Sequence, residues 1–217
     1  MSTKNFFVKQ LEVGPMENFV YLIGDPDTRQ AMVVDPAWQV DTILRAAEEE
    51  GYQVTGALVS HHHYDHTNGL EDLLKATDCK VYVNKNDAEF VKVGSPNLVK
   101  TDNGDEVDIG KLKIKLIHTP GHTPGSQCFQ VHNHLVSGDT LFIKGCGRCD
   151  LPGGNPEQMY YTLTQKLMQM DPGTIVLPGH NYADVPTSTI GEELKLNPFM
   201  KTAAASLKDF LRLRMGR

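Results

Sequence analysis

The sequence lacks any long apolar run. None of its apolar stretches approaches the roughly 18 residues that a membrane-spanning helix needs. The first residues, MSTKNFFVKQLEV, also lack the continuous apolar segment and the small-residue cleavage site of a secretory signal. With 40% hydrophobic and 22% charged residues, a mainly disordered or fibrous chain is excluded. We therefore expect a cytoplasmic globular protein with no membrane partner.

Positive charge is scarce as well. The chain has 21 Lys and Arg residues against 27 Asp and Glu residues, for a formal net charge of −6. A nucleic-acid-binding surface is normally marked by an excess of positive charge. We therefore expect no nucleic-acid partner, while a local basic patch could still hold one anionic group. The oligomeric state is left open by this pattern.

Cysteine is sparse, and its spacing shows no disulfide framework of the secreted type. Cys146 and Cys149 form a CxxC in GCGRC, but a structural zinc site needs a second ligand pair, and Cys79 and Cys128 are far apart in the sequence. The favoured interpretation is a pair of reduced thiols in a Gly-rich loop. A redox or zinc role for this pair is the alternative.

Short apolar runs separated by Gly, Pro and Asp predict strands in both halves of the chain. In the first half FFVKQLEV, NFVYLIG and AMVVDP predict a meander, and VTGALVS predicts a fourth strand. VDTILRAAEEEG and LEDLLKA carry apolar residues at helical spacing. The second half repeats the theme with strands in DEVDIG, KLKIKLIHTPG, SQCFQVH, HLVSGD and TIVLPGH and a helix in EQMYYTLTQKLMQ.

This order of elements predicts an α/β sandwich built from two similar halves rather than one parallel sheet. We expect a single domain over residues 1–217, because no linker or low-complexity segment interrupts the chain. The C-terminal segment SLKDFLRLRMGR predicts a short amphipathic helix that packs on the core and keeps its basic face in solvent.

The stretch SHHHYDHTNG, residues 60–69, concentrates four imidazoles and a carboxylate. Because side chains alternate along an extended backbone, we expect His61, His63 and Asp65 on one side, with His66 where the chain turns into the next helix. Imidazole nitrogens and carboxylates are ligands for zinc, iron or manganese. A helical HExxH site is excluded because position 63 is His rather than Glu.

Three further ligand-capable residues follow predicted strands. His122 comes after KLKIKLIHTPG, Asp139 after HLVSG and His180 after TIVLPG. Each apolar run breaks at Gly or Pro-Gly and delivers one such side chain to a sheet edge, so we expect these residues to complete a metal site with the histidine cluster. A structural zinc or metal-storage module is the non-enzymatic alternative, but it would close its coordination sphere with four protein ligands.

The motifs HHHYDH, TPGHTPGS, SGDTLF and LPGHNY, in this order, resemble the metallo-β-lactamase superfamily. The resemblance covers residues 17–200, and VPTSTIGEELKLNPFM resembles the end of glyoxalase II-type enzymes and their single-domain branch. It implies an αββα sandwich, in which two mixed β-sheets are flanked by helices and a metal site lies at one edge.

The resemblance also implies a set of site residues. Two divalent metal ions are expected, with zinc favoured and iron or manganese as alternatives. Asp35, in VVDPAW, would orient a ligand or its loop. The implied ligands are His61, His63 and His122 for the first ion, Asp65, His66 and His180 for the second, and Asp139 as the bridge between them.

The activity implied by the resemblance is hydrolysis of a thioester of the S-D-lactoylglutathione (hydroxyacylglutathione) type. A hydroxide that bridges the ions would attack the carbonyl, and Asp65 would help to position it. Arg148, in GCGRCDLPGG, and Tyr182 would bind the glutathione part. Asp150 departs from the Tyr of typical two-domain members, and their long helical stretch after Tyr182 is absent here, so part of their glutathione site is not matched.

Persulfide dioxygenases are the alternative, because they share this fold, the GCGRxD segment and the short connection after the last histidine. In that family one iron is held by two histidines and an aspartate, which here would be His61, His122 and Asp139. The motifs HHHYDH, GDTLF and NPFM favour the hydrolase, and a β-lactamase activity is less favoured than either.

Overall fold

Two six-stranded β-sheets form the centre of the molecule in a computed structural model that describes residues 6–216. In the first sheet the spatial order follows the sequence: β1 Phe7–Val13, β2 Asn18–Asp25, β3 Gln30–Val34, β4 Gln53–Val59, β5 Lys80–Asn84 and β6 Leu98–Thr101. Strands β1, β2 and β3 are antiparallel neighbours, which confirms the predicted meander, and β3 to β6 run parallel.

The second sheet is also mixed. Its strands are β7 Glu106–Ile109, β8 Leu112–His118, β9 Gln127–Val131, β10 His134–Gly138, β13 Ile175–Pro178 and β14 Ser188–Thr189. Their spatial order is β14-β13-β10-β9-β8-β7, and only the β10–β13 pair is parallel among the described strands of this sheet. A small separate hairpin joins β11 Leu141–Phe142 to β12 Gly145–Cys146.

Helices cover the outer faces of both sheets. No helix within residues 6–216 has the length and apolar character needed to cross a bilayer. The helices are α1 Val40–Glu49, α2 Tyr64–Thr67, α3 Leu70–Thr77, α4 Pro156–Gln165, α5 Ile190–Leu196, α6 Pro198–Ala205 and α7 Leu207–Met215. A 3₁₀ turn follows α4 at Leu167–Gln169.

Strand β2 shows how the sequence builds the layers. Alternate side chains of a strand point to opposite faces of its sheet. Val20 and Leu22 pack in the cluster that contains the buried residues of α1 and α3. Tyr21 and Ile23 pack in the cluster shared with the second sheet. A third cluster joins the far side of the second sheet to α4, α6 and α7, so the layers are αββα, as predicted.

The structure corrects one predicted helix and adds elements that the sequence patterns missed. EQMYYTLTQKLMQ does not form one helix, because α4 ends at Gln165 and the chain continues as the 3₁₀ turn. Strands β5 and β6 and helices α5 and α6 were not predicted. The amphipathic C-terminal helix is present as α7, with Phe210 fully buried.

Candidate metal centre

The candidate ligands lie at one edge of the sandwich, in loops that follow strands. The loop after β4 carries His61 and His63, and β8, β10 and β13 are followed by His122, Asp139 and His180. Because β10 and β13 are parallel neighbours, their carboxyl ends deliver Asp139 and His180 to the same edge. The sheet topology therefore brings together side chains that are far apart in the sequence.

His61, His63 and His122 form a first group. Nδ1 of His63 lies 3.0 Å from Nε2 of His61 and 3.0 Å from Nε2 of His122. One ligand atom from each of the three residues lies within 4.8 Å of the other two. His61 and His122 are buried, whereas His63 is partly exposed.

Asp65, His66 and His180 form a second group of the same size. Nε2 of His66 lies 3.1 Å from Nε2 of His180, and Oδ2 of Asp65 lies 3.4 Å from each of these nitrogens. The two groups match the two sets of ligands that the family resemblance implies.

Asp139 lies between the two groups. Its Oδ1 is 3.3 Å from Nε2 of His66, and its Oδ2 is 3.6 Å from Nε2 of His122 and 3.5 Å from Nε2 of His180. A carboxylate in contact with both groups has the geometry that a bridging ligand requires.

Asp65 reaches the site by a different route from the one predicted. The prediction placed it on an extended strand with His61 and His63, but the extended segment ends at His63, which caps the single helical turn α2. This turn carries Asp65 and His66, which meet His180 to form the second group. Tyr64 is 73% exposed, and the ring of His62 is directed to Asp87, with Nδ1 2.9 Å from Oδ2 of that residue, so neither side chain joins the two groups.

Four of the histidines are held by hydrogen bonds at Nδ1. Each acceptor is an oxygen that cannot donate or that already donates elsewhere, so Nδ1 carries a proton and Nε2 faces the centre. Nε2 is therefore the nitrogen of each ring that is left to bind a metal ion. The acceptors are Ser60 Oγ for His61, Asp35 Oδ2 for His66, the carbonyl of Arg148 for His122 and the carbonyl of Met16 for His180.

Asp35 supports ligands from outside the centre. Its Oδ1 accepts from the backbone N–H of Ser60, and its Oδ2 accepts from Ser60 Oγ, both over 2.6 Å. The same Oδ2 lies 3.0 Å from Nδ1 of His66. Although Asp35 clusters with His61 and His66, its oxygens are engaged by these donors, which suits a residue that orients ligands.

Burial and neighbouring charges shift the pKa values of the site's histidines and aspartates in different directions. Burial, reinforced by the neighbouring histidines, lowers the pKa of His61 and lowers that of His63 to about 4. Burial opposes the charged form of His180 too, but Asp139 and Asp65 raise its pKa to about 9. Burial alone would raise the pKa of Asp65, yet hydrogen bonds from His180, His66 and Asn18 hold it well below its usual range. The carboxylates are therefore ionised at neutral pH.

The side chains present fit divalent metal ions. Among residues 6–216, Oδ1 of Asp139 is buried and accepts no hydrogen bond of good geometry. Nε2 of His66 and Nε2 of His180 face each other over 3.1 Å, so one cation could bind both nitrogens. A donor set of imidazoles and carboxylates suits zinc, iron or manganese. The centre is therefore a candidate site for divalent ions.

The predicted substrate residues flank the centre in different ways. The ring of Tyr182 stacks on the imidazole of His180, with 4.6 Å between ring centroids and 11° between planes. The carbonyl of Arg148 accepts from His122, but its guanidinium donates to both carboxylate oxygens of Asp150, over 2.9 and 2.7 Å. Tyr182 therefore lies beside a candidate ligand, whereas the guanidinium of Arg148 is paired with Asp150 in its own loop.

Several residues of the site were not predicted. Asn18 donates from Nδ2 to Oδ2 of Asp65 over 2.9 Å, and Trp38 donates from Nε1 to Oδ1 of Asn18 over 2.9 Å. Ser60 was available to sequence reasoning, since it is the polar residue between strand β4 and His61. Asn18 and Trp38 carried no such signal, because neither adjoins a ligand in the sequence.

The sequence matches the metallo-beta-lactamase superfamily over residues 13–180, and the αββα sandwich with its edge cluster of histidines and aspartates is the architecture described above. This chain belongs to the metallo-β-lactamase superfamily.

Similar proteins within this superfamily have different activities. The chain is 33% identical to the hydroxyacylglutathione hydrolase of Shewanella loihica, over 90% of this chain and 86% of that protein. It is 31% identical to the mitochondrial persulfide dioxygenase ETHE1 of Bos taurus, over 83% of this chain and 70% of that protein. The crystal structure of ETHE1 from Myxococcus xanthus superposes with a TM-score of 0.87 and 33% identity, over 96% of this chain and 90% of that one.

Proposed function

We propose that this chain is a metal-dependent hydrolase that cleaves a thioester of the hydroxyacylglutathione type, such as S-D-lactoylglutathione. The observation that carries the proposal is the presence of two complete ligand groups that meet at Asp139. Similarity to the Shewanella loihica hydrolase supports the substrate class.

Each group of side chains would hold one divalent ion. His61, His63 and His122 would hold the first, and Asp65, His66 and His180 the second, with Asp139 contacting both. The chemistry that such ions supply is to lower the pKa of water toward neutrality and to polarise a carbonyl. Zinc is the expected metal, and iron and manganese suit the same donors.

The residues of the chain would position the reactants. Asp65 is ionised and partly exposed, so its carboxylate can accept a hydrogen bond from the attacking water and orient it. The water oxygen bonds to the acyl carbon, and the carbon–sulfur bond breaks with its electron pair on sulfur. The proton then passes to the thiolate, so that the products are a carboxylic acid and a thiol.

Tyr182 and Arg148 would contact the thiol carrier. Burial raises the pKa of Tyr182 to about 12, so its hydroxyl is protonated at neutral pH and can donate a hydrogen bond. Arg148 could bind a peptide carboxylate through paired hydrogen bonds, but only by exchanging its present partner, Asp150.

A persulfide dioxygenase is the second candidate, and the superposition on ETHE1 from Myxococcus xanthus favours it. In this case His61, His122 and Asp139 would hold a single iron and leave open positions on it. Asp65, His66 and His180 would then have no metal to bind.

Metal analysis combined with parallel assays separates the two candidates. Purified protein is measured for metal per chain, for S-D-lactoylglutathione hydrolysis and for oxygen uptake with glutathione persulfide. Two ions per chain with thioester turnover and no oxygen uptake support the hydrolase. One iron per chain with oxygen uptake and no thioester turnover would contradict it.

Two ligand variants give a second test of the hydrolase. Asp139→Asn and His122→Ala should abolish thioester turnover while the protein remains folded, and full turnover in either variant would also contradict the hydrolase.

A further inference from the structure

His62 stands between two candidate ligands, yet its side chain is directed away from the metal centre and toward Asp87. The backbone N–H of His62 donates to Oδ2 of Asp87 over 3.0 Å, and its Nδ1 lies 2.9 Å from the same oxygen. Asp87 is fully buried. The site as described so far uses neither residue.

Asp87 also binds the loop that carries His122. Oγ1 of Thr123 donates to Oδ2 of Asp87 over 2.7 Å, and the backbone N–H of Gly125 donates to Oδ1 over 2.6 Å. One buried carboxylate thus holds His62, Thr123 and Gly125, and we call these four residues the Asp87 clasp.

The topology explains how Asp87 reaches both loops. Strands β4 and β5 are parallel neighbours, so the loops after them leave the first sheet side by side. The loop after β4 carries His61, His62 and His63, and the loop after β5 carries Asp87. The turn at Thr123 and Gly125 belongs to the second sheet, between β8 and β9. The Asp87 clasp therefore ties the two sheets together at the metal edge.

The turn is shaped to receive this carboxylate. A Cβ atom on Gly125 would lie 2.5 Å from Cγ and Oδ1 of Asp87, so the backbone approaches Asp87 more closely than any side chain would allow. Ser126 Oγ lies 2.8 Å from Oγ1 of Thr123 and fixes the hydroxyl that donates to Asp87. The backbone N–H groups of His62 and Gly125 and the hydroxyl of Thr123 all donate to this carboxylate, so Asp87 acts as the acceptor in each of these contacts.

The clasp adjoins one group of candidate ligands and not the other. His61 and His63 flank His62, and His122 precedes Thr123, so each ligand of the first group neighbours a clasp residue. Asp65, His66 and His180 are supported elsewhere, by Asn18, Asp35 and the carbonyl of Met16.

We propose that Asp87 is a positioning residue that sets the geometry of the first ligand group, by fixing the loop of His61 and His63 relative to the loop of His122. The clasp acts on the loops and touches neither ion nor substrate. This inference holds for a hydrolase and for a dioxygenase alike, since His61 and His122 serve both.

The test is a metal titration that resolves the two groups. His180→Ala leaves the first group intact, and His63→Ala leaves the second. Zn²⁺ dissociation constants are measured against a competing chelator for each variant, with and without Asp87→Asn. Asn keeps the volume of Asp but places an N–H where the clasp needs an acceptor. We expect Asp87→Asn to weaken Zn²⁺ binding by about 10- to 100-fold in the His180→Ala protein and by less than about threefold in the His63→Ala protein.

Thr123 supplies an independent pair of variants. Thr123→Val removes the donor to Asp87 at nearly equal volume, and Thr123→Ser keeps it. We expect Thr123→Val to weaken Zn²⁺ binding in the His180→Ala protein. Thr123→Ser should leave Zn²⁺ binding in the same protein unchanged. Circular dichroism and thermal unfolding of the metal-free proteins establish that each variant is folded, and if Asp87→Asn is not, the Thr123 pair decides. Equal losses in both backgrounds, or no loss in either, would overturn the proposal.

Discussion

Trp38 donates a hydrogen bond from its indole Nε1 to Oδ1 of Asn18 over 2.9 Å. An indole N–H can only donate, so the contact fixes the amide of Asn18 with its oxygen toward Trp38 and its N–H₂ toward Asp65. Asn18 is buried, and Nδ2 donates to Oδ2 of Asp65 over 2.9 Å. Trp38, which is 27 positions before Asp65 in the sequence, thus orients this candidate ligand through Asn18.

We predict that Trp38→Phe weakens binding of the ion held by the second group, because Phe keeps most of the ring and loses the donor. Asn18→Leu should have a larger effect, on the order of 10-fold or more in affinity, since it removes the contact to Asp65 itself. Chelator competition with Zn²⁺ in the His63→Ala protein measures both effects.

Tyr64→Phe is the control for this pair. Tyr64 packs edge-to-face on Trp38 with 6.0 Å between ring centroids, and its side chain is largely exposed, so the change removes only a solvated hydroxyl. If Trp38→Phe changes Zn²⁺ affinity no more than Tyr64→Phe does, the indole N–H has no part in orienting Asp65.

The sequence predicted the layers and the ligand candidates because both depend on local patterns. The continuous apolar run in NFVYLIG predicts a strand, and His122, Asp139 and His180 each follow an apolar run that ends in Gly. The pairing of these side chains into two groups was implied by the family resemblance, since no single loop contains a whole first group.

The residues that hold the ligands could not be predicted in the same way. Asp87 contacts His62 across 25 positions, and Asn18 contacts Asp65 across 47, through a sheet order that no local pattern encodes. The turn α2 was missed because four residues are too few to show helical periodicity. Strand β5, KVYVN, is short and adjoins helix α3, so its pattern was not separated from that helix.

The ion pair of Arg148 and Asp150 predicts a change in substrate affinity. Arg148 holds the pKa of Asp150 at about 2, so the pair is intact throughout the neutral range. Asp150→Asn should free the guanidinium for a substrate carboxylate and lower KM for S-D-lactoylglutathione by about two- to fivefold, a modest change because exposed pairs are weak. We expect kcat to stay unchanged, because the two side chains lie on the loop surface.

The double variant Asp150→Asn with Arg148→Gln is the control in this case. It removes the guanidinium that Asp150→Asn would release, so KM should return to the parent value or rise above it. A KM that falls equally in the single and double variants would show that Arg148 does not bind the substrate.

Asp25 predicts a pH dependence of stability that is separate from the metal centre. Its carboxylate accepts from the backbone N–H of Lys111, from Oγ1 of Thr28 and from the backbone N–H of Asp27. These contacts join the β2–β3 turn to the β7–β8 hairpin, where Gly110 has a φ of 56° and a Cβ would meet Thr28 and Asp25. These hydrogen bonds lower the pKa of Asp25, and the one from the backbone of Lys111 has the largest effect.

A carboxyl whose pKa is lower in the folded state stabilises the fold above its unfolded pKa, near 3.9, and loses this contribution as the pH falls through the folded value. We therefore predict that Asp25→Asn lowers the free energy of unfolding by about 1–3 kcal/mol at pH 7 and by progressively less below pH ~4. Urea denaturation at several pH values measures the difference. A difference that grows on acidification would contradict the assignment.

Two variants of Tyr182 can separate its effect on substrate binding from its effect on metal binding through His180. Tyr182→Phe keeps the ring that stacks on His180 and removes only the hydroxyl of a residue that is 56% exposed. If this hydroxyl donates to the thiol carrier, KM should rise by about two- to tenfold, the usual range for one hydrogen bond, while kcat and the metal content stay unchanged. Tyr182→Ala also removes the ring that stacks on His180, so we expect this variant to bind the ion held by His180 more weakly as well. An unchanged KM in Tyr182→Phe, together with a loss of metal only in Tyr182→Ala, would limit Tyr182 to packing against the ligand.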